Sequence, residues 1–239
     1  MVTASRSVFF LSGGRVTLRQ HWSLLVISVT GIMLLISQWF IWFYAPVEAQ
    51  MGLVQKIFYL HLPLAWWGFV SFFLVFIFSI LFLCRCDDNF DLLAGAAAEI
   101  GVLFCTLVLL TGILWAKAAW NTWWTWEPRL STTLVMWFVY SGYLVLRKSF
   151  GVEQKQKTFC AVLGILGFLD VPLVFFSARL WRSIHPTVMA SRQGGLPSEM
   201  WLTVLISLLA WAGLFLTLLW LRYSQLKIAD RLDRLISYG

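Results

Sequence analysis

Six apolar runs, each close to the length of a bilayer crossing, leave this chain few folds to adopt. They cover roughly residues 22–44, 57–83, 92–114, 130–146, 159–180 and 200–221. A helix of about 20 apolar residues crosses a ~30 Å hydrocarbon core. The fourth run is the shortest, and its first residues overlap a polar, tryptophan-rich stretch. The polar segments between runs are short, so no separate soluble domain is expected. The expected fold is all-α: a single domain, residues 1–239, built as a bundle of six transmembrane helices.

Charge supports this and sets an orientation. Only 12% of residues are charged, against about 25% in a soluble domain. The net charge of +7 does not point to nucleic acid, because the positive-inside rule accounts for it. Six spans put both termini on one side. That side carries twelve of the 18 Lys and Arg residues, including Arg85, Arg147, Lys157 and Arg222. The other six are Lys56, Lys117, Arg129, Arg179, Arg182 and Arg192. Both termini are therefore expected in the cytoplasm, and the loop between the third and fourth spans on the outer face. Residues 1–21 form a short basic tail, and the run after it reads as a retained anchor, longer than a signal-peptide core.

That outer loop is residues 115–133, WAKAAWNTWWTWEPRLSTT. Trp115, Trp120, Trp123, Trp124 and Trp126 fall within its first twelve residues. Asn121, Lys117, Glu127 and Pro128 make it too polar for the middle of a span. It reads as a loop or as a short helix on the surface. On a helix, Trp120, Trp123, Trp124 and Glu127 would share one face, and Pro128 would end it. Trp is enriched at membrane interfaces, so an aromatic belt is one reading. A platform for a flat, hydrophobic ligand is the other.

Two of the three histidines fall on the same face. His61 lies in the first turns of the second span, two residues before Pro63 and close to Trp66 and Trp67. His185 follows the fifth span, after Arg179, Trp181 and Arg182. Taken alone, each reads as an interfacial residue or as a ligand. Together with indoles and cations they form a coherent set. Imidazole is an axial ligand of haem iron, indole faces suit the porphyrin plane, and Arg129, Arg179, Arg182 and Lys117 suit its two propionates.

Other polar positions carry less. Glu99 lies two turns into the third span and Asp170 near the middle of the fifth, where ionisable residues are costly. Each reads as functional or as a carboxyl facing a partner helix. Asp170-Val-Pro172 also marks a kink. Cys84, Cys86, Cys105 and Cys160 are not placed for an outer disulfide. Cys84 and Cys86 lack further ligands for a metal. The amphipathic tail 222–239 shows no active-site pattern.

The Trp-rich stretch, Trp120-Asn-Thr-Trp123-Trp124-Thr-Trp126-Glu127-Pro128-Arg129-Leu130-Ser131, resembles the WGxxWxWDxRLT motif of the CcmC family, the haem exporter protein C of cytochrome c maturation. His61-Leu-Pro63-Leu-Ala65 and Trp181-Arg-Ser-Ile-His185 match its two histidine motifs. The resemblance covers roughly residues 57–190. It departs at Asn121, where the family has Gly, and at Glu127, where it has Asp. Pro128 is similar to the WDP motif of CcsA-type synthetases.

The resemblance implies a haem carrier more than a classical enzyme. His61 and His185 would be axial ligands of a transiently bound haem b, with no metal besides its iron. Trp115, Trp120, Trp123, Trp124, Trp126 and Glu127 would form the platform that presents it to a periplasmic chaperone, CcmE. The transporter subunits CcmA and CcmB and the small CcmD would be partners, in a bacterial inner membrane. No GxxxxGK[ST] motif is present, so any ATP use would fall to partners. The alternatives are a CcsA-type cytochrome c synthetase subunit, which usually needs more outer histidines and spans, and a one-haem membrane b-type cytochrome. A secondary transporter would show paired repeats, and a zinc protease an HExxH motif; neither is seen.

Overall fold

The computed structural model describes residues 5–49, 51–149, 154–180 and 196–237, and the side chains of 21–49, 51–149, 154–177 and 196–236. Seven α-helices run through these residues: α1 (Ser5–Trp39), α2 (Phe58–Arg85), α3 (Asp88–Trp120), α4 (Pro128–Ser149), α5 (Gln154–Phe168), α6 (Asp170–Leu180) and α7 (Ser198–Ser237). A π-helical turn, Phe40–Tyr44, prolongs α1, and a 3-10 turn, Leu53–Ile57, leads into α2. No β-strand occurs among the described residues; the nearest approach is an isolated bridge between Glu48 and Gly52.

Five stretches among the described residues are long and apolar enough to cross a membrane: His21–Tyr44, Leu53–Arg85, Asp88–Trp120, Gln154–Ser177 and Ser198–Ile236. The fourth expected span corresponds to α4, which is not among the five. Its 22 residues suffice in length, about 33 Å, but Ser, Thr, Tyr and Gly dilute its apolar character. The fifth expected span is divided: α5 ends at Phe168 and α6 starts at Asp170. Pro172 explains the division, because its ring excludes the carbonyl four residues back and it has no N–H to donate. Leu169 closes the gap with a bond from its N–H to the Leu166 carbonyl, 3.1 Å.

Small residues let the helices approach closely, the usual device where lipid removes the hydrophobic drive for association. Ala94–Ala98 of α3 lie buried in the bundle. The central core joins Phe72 and Val75 of α2 to Cys105 of α3, Tyr140 of α4, Cys160 of α5 and Val171 of α6. Phe72 stacks on Tyr140 with centroids 3.9 Å apart. Hydroxyl pairs tie α1 to α7, Thr30 to Thr217 at 3.0 Å and Ser37 to Ser207 at 3.1 Å.

Charge gathers at one end of the bundle. Asp91 accepts from both terminal guanidinium nitrogens of Arg147, and Asp88 pairs with Lys157 and Arg234. Asp87 caps α3: its carboxylate accepts the Asn89 backbone N–H at 2.9 Å, which holds it below the usual carboxylate range. Glu99 is not isolated, since Arg222 of α7 donates to both its oxygens. That bidentate pair accounts for Glu99 as a contact between helices. For Asp170, one carboxylate oxygen is buried with no hydrogen-bond partner among the described residues.

Candidate functional site

The opposite end of the bundle carries the aromatic cluster. The stretch 115–133 is neither one loop nor one surface helix. Trp115–Trp120 complete α3, residues 121–127 form an irregular link, and α4 starts at Pro128. The sequence-based helix ending at Pro128 is therefore corrected. Proline has no N–H to lose in a first turn and its φ is already helical, so it opens α4. The Ser131 N–H bonds back to the Glu127 carbonyl at 3.0 Å. Trp120, Trp123, Trp124 and Glu127 accordingly do not share a helical face.

Asn121 makes the turn. Its φ is +56°, in the left-handed region, and its N–H closes α3 on the Lys117 carbonyl at 3.1 Å. Gly and Asn are the residues that adopt this conformation at least cost. The sequence difference at this position therefore keeps the backbone path a glycine would give. The Asn121 side chain also accepts from Lys117 Nζ at 2.8 Å, and that ammonium sits 5.5 Å from the Trp123 ring centroid.

The five indoles divide by environment. Trp115 is 5% exposed and belongs to a core with Ile41, Phe58, Tyr59 and Met200. Trp120 stacks on it at 6.5 Å and is half-buried. Trp124 is also half-buried, in edge contact with Trp126 at 5.7 Å. Trp123 and Trp126 are 58% and 78% exposed. The outward face is therefore made by Trp123 and Trp126, and Trp115 is an inner support. Glu127 and Arg129 are half-buried where the link meets α4.

His61 is in the first turn of α2, as its sequence position suggests, and Pro63 follows as the sixth residue of the helix. Its imidazole is set between α2 and α3. Nδ1 lies 2.8 Å from the Thr111 hydroxyl. The ring is edge-on to Trp115, with centroids 5.7 Å apart. His61 and the Trp cluster, 50 and more residues apart in sequence, thus meet through Trp115. His185 and Arg182 lie outside the described residues, as does the side chain of Arg179.

Two residues of this end were not singled out by sequence. Lys56, counted only as an outer-loop cation, is 5% exposed and donates to the carbonyls of Ile41 and Trp42 at 2.6 and 3.0 Å, closing the end of the first helix. Thr111 gave no signal of its own. Only its depth, level with His61 in neighbouring spans, would have paired them.

The family model described as Heme exporter protein C matches residues 12–236. The chain belongs to the Heme exporter protein C family. Heme exporter protein C of Bradyrhizobium diazoefficiens is 33% identical over 181 residues, covering 73% of this chain and 67% of its own length. The Rhodobacter capsulatus protein of that name is 29% identical, over 88% of each chain. That of Escherichia coli K12 is 28% identical, over 69% of this chain and 67% of its own. An aromatic shelf beside a positioned imidazole places a flat apolar face next to a nitrogen ligand.

Proposed function

We propose that this chain carries haem at the aromatic end of its bundle and presents it to a periplasmic haem chaperone during cytochrome c maturation. The observation that carries the reading is His61, held by a helix-to-helix hydrogen bond next to the Trp-rich link, in a chain of this family. His61 and His185 are the axial ligands of a haem b held transiently as cargo. Trp123 and Trp126 are the presenting face, with Trp120, Trp124 and Glu127 beneath it. Lys117, Arg129, Arg179 and Arg182 meet the propionates.

In this reading the protein is a six-span bacterial inner-membrane protein with both termini cytoplasmic, the Trp-rich link periplasmic and α4 as the fourth span. Support for α4 comes from its run alongside α3. Cys105 of α3 reaches the Thr133 carbonyl at 3.8 Å, Trp137 donates to Thr106 at 2.8 Å, and Arg147 pairs with Asp91 at the far end. The relatives' name, an exporter protein C, fits work beside transporter subunits of the CcmA, CcmB and CcmD kind.

The test is the absorption spectrum of protein purified from haem-sufficient cells, beside the His61→Ala/His185→Ala double variant. A six-coordinate Soret band, lost or altered in the variant, is expected. Haem retained unchanged by the variant would defeat the ligand assignment.

A further inference from the structure

We propose that Thr111 is a positioning residue for His61, choosing which imidazole nitrogen faces the haem; the inference rests on the carrier reading above. The two side chains come from different helices and meet through one hydrogen bond, Nδ1 to Oγ1 at 2.8 Å. A threonine hydroxyl has one proton and two lone pairs. The Thr111 Oγ1 is 2.7 Å from the Leu107 carbonyl. That is the i−4 back-bond of a helical threonine, and it takes the proton. Towards His61 the hydroxyl oxygen is then an acceptor, so Nδ1 carries the imidazole proton. A neutral ring protonated at Nδ1 has its lone pair on Nε2, the nitrogen then suited to iron.

The neighbours on α3 complete the cradle. A Cβ at Gly112 would stand 3.3 Å from His61 Cε1. Glycine therefore gives the ring room at that position. Trp115, one turn beyond Thr111, closes the other edge. Gly112 and Trp115 fix where the ring lies, and Thr111 alone among the three selects its tautomer. Outer hydrogen bonds to ligating histidines set ring orientation and raise ligand basicity.

The experiment uses the full chain in detergent, as wild type, Thr111→Val, Thr111→Ser and His61→Ala. Three readouts apply: haem titration, the low-spin electron paramagnetic resonance signal of the ferric complex, and the imidazole nitrogen shifts of haem-free protein labelled with ¹⁵N-histidine. The last assigns His61 by its loss in His61→Ala. Thr111→Val is expected to bind haem about 10- to 100-fold more weakly, with a shifted low-spin signal and mixed His61 tautomers. Thr111→Ser keeps the hydroxyl and is expected to restore all three. Thr111→Val matching wild type in all three, while His61→Ala loses haem, overturns this inference and leaves the carrier reading standing. Unchanged haem in His61→Ala overturns both. Should Thr111→Val not fold, the wild-type nitrogen spectrum still decides, since a His61 proton on Nε2 overturns the proposal.

Discussion

The Trp115 indole stands edge-on to the His61 imidazole while the Trp120 ring lies nearly parallel to it. Trp115 thus joins the half-buried histidine to the half-exposed aromatic link. Its replacement acts through packing. Trp115→Ala is expected to cost about 3 kcal/mol, the scale for emptying an indole-sized site in a core, and to disturb haem retention as well. Trp126→Ala removes an exposed ring and is expected to change stability by no more than about 0.5 kcal/mol, while lowering transfer to the chaperone. Unfolding in a denaturing-detergent titration, run beside a transfer assay, separates the two. A normal transfer rate in Trp126→Ala would return the exposed indoles to the role of an interfacial belt.

Asn121 provides a backbone test of the same link. Its left-handed φ of +56° tolerates Gly without strain. Asn121→Gly is therefore expected to be neutral within about 0.5 kcal/mol. Asn121→Ala keeps the side chain small but strains the turn, and is expected to cost about 1 kcal/mol. Equal stability of the two variants would mean that the turn does not depend on this residue's conformation.

Much of this molecule was legible in its pattern, and the reasons for the rest are local. Apolar runs reveal spans because bilayer thickness fixes their length. His61 and the Trp stretch could be placed at one end of the bundle because His61 opens one apolar run and the Trp stretch closes the next. Pro128 was misread because a proline ends one helix and opens another with the same ring, and only the left-handed Asn121 tells which. The burial of Trp115 was illegible for a different reason. Tryptophan serves core and surface alike, and its neighbours Ile41 and Met200 come from the two ends of the chain. The Glu99–Arg222 pair was hidden by the same distance in sequence.

The charged end offers a contrast between two bidentate pairs. Asp91 and Arg147 are 6% and 17% exposed at their side chains, Glu99 and Arg222 26% and 35%. Removing one partner from a buried pair leaves a charge without compensation and costs about 3 kcal/mol. A half-exposed pair such as Glu99–Arg222 is more strongly screened and contributes less, about 1 kcal/mol. Asp91→Ala is thus expected to destabilise the bundle several-fold more than Glu99→Ala. Gly95 gives a finer probe. A Cβ there would meet Arg147 Nε at 2.5 Å, so Gly95→Ala displaces a guanidinium that Asp91 holds in place. Double-mutant cycles with Asp91→Ala should show strong coupling for Gly95→Ala. Additive effects would mean that the guanidinium relaxes without leaving the carboxylate.

The native cysteines report on orientation. Cys84 and Cys86 are exposed at the end of α2, beside the charged cluster, whereas Cys105 and Cys160 are buried. A membrane-impermeant maleimide should therefore label only the first pair in native protein. If that end is cytoplasmic, labelling is expected in inside-out vesicles and absent in intact spheroplasts. Trp126→Cys, placed on a residue 78% exposed at the opposite end in a chain with Cys84 and Cys86 replaced by serine, should give the reverse pattern. The pair of results also tests α4. Arg147 lies at the Cys84 end of the bundle and Trp126 precedes α4 at the other, so opposite labelling of Trp126→Cys and Lys148→Cys, each in that cysteine-replaced chain, requires α4 to cross. Labelling of both from the same side would leave α4 within one leaflet and reduce the protein to the five spans that apolar length alone supports.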